Sequence, residues 1–246
     1  MPYIIYEKEQ DIAECITSKL IKISASKKNT IHIAISGGDT PKNIFQNIAL
    51  INKKFFIDWK KLHFWWCDER LVDYSSKNSN FGEANRILFS KIQISKKNLH
   101  PIDWKQPISK SLDKYKNSME RLLPKKNGLP VFDWIWLGVG KDGHTASLFN
   151  NIQDIKSKNW VIKSINPEKK TPRITIALQI INNSREVDFI VSGEAKSKIL
   201  KKIFDNNSVN NPEIYPAQAV NLVSGKLTWN IDKTAASKLE THIHEQ

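Results

Sequence analysis

Short apolar runs alternating with helix-period segments constrain this chain more than any other feature. "TIHIAIS", Thr30 to Ser36, is β-branched and apolar at both odd and even positions. A strand of that kind needs cover on both faces, as in a parallel sheet layered by helices. Before it, Ile12, Ile16, Leu20 and Ile23 recur at helical spacing within Glu9 to Ser26. After it comes a helical segment from Pro41 to Ile51, whose proline suits a first turn because its missing N–H would have no partner there.

The pattern repeats along the chain. "LHFWWC" (Leu62 to Cys67) and "FDWIWLGVG" (Phe132 to Gly140) read as strands, with helices expected from Asn80 to Leu88 and from Ile108 to Leu123. "WVIKSI", "RITIAL" and "EVDFIVSG" read as further strands, the last followed by a helix from Glu194 to Phe204. Such alternation predicts an α/β protein: a mainly parallel, doubly wound sheet with flanking helices and a small additional β region. No fixed-period repeat or long linker interrupts residues 1–246, and the polar loop from Asp205 to Pro212 lies too late to divide the chain evenly. One α/β domain is expected.

Composition narrows the functional classes. A net charge of +13 would suit a polyanion, but the lysine pairs are dispersed and no nucleic-acid recognition motif accompanies them. A small anionic substrate fits better, with no nucleic-acid partner. Two cysteines, Cys15 and Cys67, supply neither a disulfide framework nor a C-x-x-C ligand pair, which fits a reducing cytosol. No apolar run reaches a membrane span, and "MPYIIYEKEQ" lacks the basic leader and cleavage site of a signal peptide.

Ligands of open parallel sheets gather at the carboxyl ends of strands, so the loops there carry the candidate chemistry. Ser36-Gly37-Gly38-Asp39-Thr40 opens a helix with two glycines, which suits a phosphate on exposed N–H groups, although a tight turn would explain the glycines as well. Asp39 is expected to face away from a bound anion. Asp68, Glu69 and Arg70 follow a strand as three charges that must pair or bind something, and Arg70 offers a planar fork to a phosphate or carboxylate. Arg173 and Lys196 are two further cations at strand ends.

Gly138-Val139-Gly140-Lys141-Asp142-Gly143 fits the dinucleotide pattern G-x-G-x-x-G. A dinucleotide unit also needs a long following helix and an acid about 20 residues on, at the end of the next strand. Asn150 and Asn151 break the helix, and the next strand ends in "KSIN" without an acid. What remains is Asp142 and His144 on one turn, a carboxylate beside the side chain best suited to general-base work near neutral pH. The residues alone do not choose between them as the base.

These motifs resemble the 6-phosphogluconolactonase family, in the larger group of glucosamine-6-phosphate deaminase and ribose-5-phosphate isomerase. "SGGDTP" is similar to its S-G-G-S-T-P, "DERLVDYSSKNSNFG" to its D-E-R-x-V followed by S-N, and "LGVGKDGHTASLF" to its G-x-G-x-D-G-H-T-A-S-L-F-P. The likeness continues through "PRITIAL" and "SGEAK" to "YPAQAV" and "LTWNIDKTAA". Asp39 stands where the family has serine and Asn150 where it has proline. Glucosamine-6-phosphate deaminases typically carry D-E-Y and G-H-I-A-F-N at the corresponding places, and a non-catalytic sugar-phosphate-binding protein would lack the histidine.

The resemblance implies hydrolysis of 6-phospho-D-glucono-1,5-lactone to 6-phosphogluconate, without metal or other cofactor. His144 would take a proton from the attacking water, and Asp142 would position the imidazole or stabilise its charge. Ser36, Gly37, Gly38, Thr40, Arg70, Arg173 and Lys196 would hold the substrate, with the division of the cations between phosphate and ring left open.

Overall fold

The computed structural model describes residues 1–28, 30–205 and 215–239, apart from the side chain of Asp39. The chain opens with β1 (Tyr3–Tyr6), α1 (Glu9–Ser24), β2 (Ile31–Ile35), α2 (Asp39–Ile51), β3 (Leu62–Trp66) and β4 (Asp68–Arg70). Next come α3 (Asn80–Ile87), β5 (Leu99–His100), α4 (Ile108–Leu122), β6 (Lys125–Lys126), β7 (Leu129–Pro130) and β8 (Trp134–Leu137). The rest comprises α5 (Ile152–Ile155), β9 (Val161–Ile165), β10 (Pro172–Ile176), α6 (Leu178–Asn182), β11 (Glu186–Val191), α7 (Ser197–Phe204), β12 (Lys226–Asp232) and α8 (Lys233–Ala236). The polar stretch expected from Asp205 to Pro212 lies, beyond Asp205, outside the described residues.

Seven parallel strands form the main sheet in the order β1-β12-β11-β8-β2-β3-β5. All of β2 is buried, as its apolar residues on both parities require, and Trp65, Trp66, Trp134, Trp136 and Trp229 lie almost wholly inside. Asn47 of α2 donates to Thr17 of α1 at 3.0 Å within the helical layer, so that buried amide and hydroxyl satisfy each other.

After β2 the chain builds outward through β3 and β5, then returns to lay β8, β11 and β12 on the other side of β2. The reversal leaves β2 and β8 adjacent, with Ile35 opposite Trp136, while the connections leaving their carboxyl ends run apart. A crevice opens where connections diverge in this way.

The small β region differs from the sequence expectation in one respect. Asp68, Glu69 and Arg70, expected in a loop, form β4, which leaves the main sheet after Cys67 and pairs antiparallel with β10, itself paired with β9. Strand-pattern rules miss such a segment because none of its three residues is apolar; the ladder to β10 supplies what side-chain burial does not.

Candidate active site

The loop leaving β2 begins at Ser36, whose N–H donates to Trp136 O at 3.1 Å and ties it to the end of β8. Gly38 then takes φ +118 as the N-cap of α2, a conformation open to glycine, and leaves the first N–H groups of the helix facing outward from its N-terminus. A methyl group on Gly37 would come within 1.9 Å of Asn80 Oδ1, so the absence of a side chain there lets α3 close onto the loop. Thr40 Oγ1 lies 2.8 Å from Ser192 Oγ, after β11.

Beside this loop stands the β4–β10 ladder. Register pairs Arg70 with Arg173 and Asp68 with Thr175, so these four share one face, while Glu69 points to the other. On its own side Glu69 accepts from the backbone N–H groups of Arg70, Asn80 and Phe81, each at 2.8 Å, and from Ser79 Oγ at 3.1 Å. This buried carboxylate anchors the N-terminus of α3. Burial nevertheless pushes its pKa up to about 7 against the pull of those donors.

On the Arg70–Arg173 face, Asp68 Oδ2 accepts from Ser147 Oγ at 2.6 Å and lies 3.9 Å from Arg173 Nη1. Asn80 Nδ2 donates to Asp68 O at 2.9 Å. Burial lowers the pKa of Arg173, Asp68 opposes that shift and Arg70 adds to it. Among the described residues, neither buried Nε of Arg70 and Arg173 has a hydrogen-bond partner. Two guanidinium groups across one ladder, each with an unused donor, favour an anion between or beside them.

The turn after β8 carries the acid and the imidazole. Gly140 N donates to His144 O at 2.8 Å and Gly143 N to Gly140 O at 3.0 Å, closing a tight loop in which Gly143 has φ +85. Thr145 Oγ1 donates to Gly138 O at 2.8 Å and fixes the exit. Within this frame His144 Nδ1 meets Asp142 Oδ1 at 2.5 Å, and the ring lies against Phe149, 4.7 Å between centroids. Burial resists ionisation of Asp142, but its hydrogen bond and charge interaction with His144 hold the carboxyl below its ordinary range. A carboxylate can only accept, so Nδ1 carries the proton and Nε2 of the neutral ring is a free base.

Lys196 donates from Nζ to Val139 O at 2.7 Å, which brings the cation to the same turn. Ser36, Gly37, Gly38 and Thr40 follow β2, Arg70 and Arg173 face each other across the β4–β10 ladder, and Lys196 reaches the turn after β8 that carries Asp142 and His144. Asp68 pairs, as its place among three charges after a strand requires, whereas sequence reasoning gave no role to Asn80 or Ser147, although both lie inside the quoted family-like strings. Their signal was present but unreadable without the ladder that brings them together. The expected helix break at Asn150 and Asn151 takes the form of a cap: Asn151 Oδ1 accepts from Gln153 N at 3.0 Å and starts α5. Among the described residues no group of three or more His, Cys, Asp or Glu could hold a metal ion, and no helix is long and apolar enough to cross a membrane.

A family profile and known relatives match this chain. The profile of the glucosamine-6-phosphate isomerases/6-phosphogluconolactonase family matches residues 7–229. A 6-phosphogluconolactonase of Haemophilus influenzae is 36% identical over 97% of this chain and 100% of its own length. Among solved structures, one titled as devB protein superposes with a TM-score of 0.92 at 33% identity, covering 97% of this chain and 99% of its own. A 6-phosphogluconolactonase of Thermotoga maritima superposes with a TM-score of 0.79 at 29% identity, covering 94% and 98%.

Proposed function

The chain belongs to the glucosamine-6-phosphate isomerase/6-phosphogluconolactonase family, and from that premise we propose how its residues open a sugar-phosphate lactone. The protein is a hydrolase that converts 6-phospho-D-glucono-1,5-lactone to 6-phosphogluconate in the pentose phosphate pathway. The observation that carries the mechanism is the 2.5 Å contact between Asp142 and His144 Nδ1, which leaves Nε2 as the base.

His144 Nε2 takes a proton from water as the water oxygen attacks C1 of the lactone. Asp142 holds the ring in the required tautomer and stabilises the imidazolium that forms. The tetrahedral intermediate then collapses: the C1–O bond of the ring breaks, and the departing ring oxygen takes the proton back from Nε2. The product carboxylic acid ionises in water. General-base catalysis of this kind contributes about 10² to 10⁴ in rate.

The phosphate lies against the backbone of Gly37 and Gly38 at the start of α2, where unpaired N–H groups and the helix dipole favour an anion. Ser36 and Thr40 border it. Arg70, Arg173 and Lys196 supply the balancing positive charge, supported by the two unused Nε groups and by the reach of Lys196 to the catalytic turn. The test is a coupled assay on freshly generated lactone, with spontaneous opening subtracted and glucosamine 6-phosphate assayed in parallel for ammonia release. Catalysed lactone opening supports the reading; ammonia release alone overturns it.

A further inference from the structure

Thr40 belongs to the phosphate loop, yet its hydroxyl is engaged in a chain that leads away from the loop. Thr40 Oγ1 lies 2.8 Å from Ser192 Oγ, and Ser192 Oγ donates to Glu9 Oε1 at 2.8 Å. The three residues come from distant parts of the chain: the first turn of α2, the residue after β11, and the first residue of α1. Glu9 has no ion-pair partner among the described residues, so its carboxylate is available as a pure acceptor.

Counting protons fixes the direction of the chain. A serine hydroxyl has one proton, and Ser192 gives it to a carboxylate that has none to return. Between Thr40 and Ser192 only Thr40 can then be the donor. We propose that Glu9 is a positioning residue that sets this direction: while ionised, it commits the Thr40 proton to Ser192 and leaves only oxygen lone pairs to face a phosphate. The inference rests on the phosphate-loop reading above and refines it. Thr40 borders the anion without donating to it, and Glu9 restrains the affinity of the site for substrate and for the product, which carries the same phosphate.

Glu9→Gln tests the relay. A glutamine amide can donate to Ser192 Oγ, which lets Ser192 donate to Thr40 and frees the Thr40 proton for a phosphate oxygen. The Kd of 6-phosphogluconate, measured by calorimetry, should then fall about tenfold, as should KM, because a donor to a charged acceptor is gained. Loss of the Glu9 charge could tighten binding without any relay, so Thr40→Val is added to E9Q: the relay requires this second change to erase the gain. No tightening in E9Q, or tightening that survives T40V, overturns the proposal. Wild-type protein that neither binds 6-phosphogluconate nor opens the lactone would instead overturn the functional reading, so the two failures are distinct.

Discussion

Arg70 and Arg173 stand directly opposite each other across the β4–β10 ladder, like charge facing like charge, each with a buried Nε that has no partner among the described residues. Such a pair is unfavourable in an empty protein and becomes favourable when an anion joins it. Replacing Arg173 by Met should raise KM for the lactone about tenfold to a hundredfold. The thermal stabilisation that inorganic phosphate gives the wild type should shrink in the variant. Steady-state kinetics and thermal melts with and without phosphate check both; an unchanged KM removes Arg173 from the substrate site.

Gly37 and Asn80 form the second close relationship. Gly37→Ala would push a methyl group to 1.9 Å from Asn80 Oδ1 and 2.3 Å from its Cγ. The loop or α3 must shift, with a rise in KM and a lower melting temperature. Shortening the obstacle in the double variant Gly37→Ala/Asn80→Gly should recover part of the loss in KM. A double variant no better than G37A alone would show that the collision is not what matters.

Gly140 serves the catalytic turn in the same way. An added Cβ would meet His144 Nδ1 at 2.1 Å and Asp142 Oδ1 at 2.5 Å, so Gly140→Ala should separate the acid from the imidazole. A displacement of about 1 Å can cost on the order of a hundredfold in rate. The effect should fall mainly on kcat, with a smaller change in KM, because the proposed phosphate loop of Gly37 and Gly38 follows a different strand. A variant with normal kcat would mean that the Asp142–His144 contact is dispensable.

Acid sensitivity follows from a histidine cluster built on β2, β3 and β5. His63 Nδ1 and His100 Nε2 lie 2.9 Å apart, His100 stacks on Trp65 at 4.0 Å, and Trp65 Nε1 donates to His32 Nδ1. Burial, then the charge of His63, pulls the pKa of His32 down to about 4 and that of His100 to about 3. Below the ordinary value of 6.5 the unfolded chain takes protons that the folded protein refuses, so this contribution to stability is complete above pH 6.5 and is lost as pH falls through about 4 for His32 and about 3 for His100. Glu69, raised to about 7, acts in the opposite sense between about pH 4.5 and 7. His100→Asn should therefore flatten the acid limb of the melting temperature against pH, whatever it does to the absolute value. An acid limb of unchanged slope would contradict the cluster's role.

The fold was largely legible because its parallel strands are buried on both faces and so are apolar on both parities, as in Ile31 to Ile35. β4 was not, because Asp68-Glu69-Arg70 owes its strand to pairing with residues more than a hundred positions away. The turn from Gly138 to His144 was legible in chemistry but ambiguous in role: its glycines imitate a nucleotide fingerprint. The residues alone leave His144 and Asp142 both open as the base, and the contact between them supports the proposed choice of His144. Asn80, Ser147 and the Glu9–Ser192–Thr40 chain were beyond sequence reasoning, since their meaning is a set of contacts between segments far apart in the chain.

The central claim is that His144 Nε2 takes the proton of the attacking water. The most direct measurement is kcat and KM of His144→Ala on freshly generated lactone, corrected for spontaneous opening. The value of kcat should fall by about 10² or more with little change in KM. Near-wild-type turnover in that variant, with the protein folded, would contradict it.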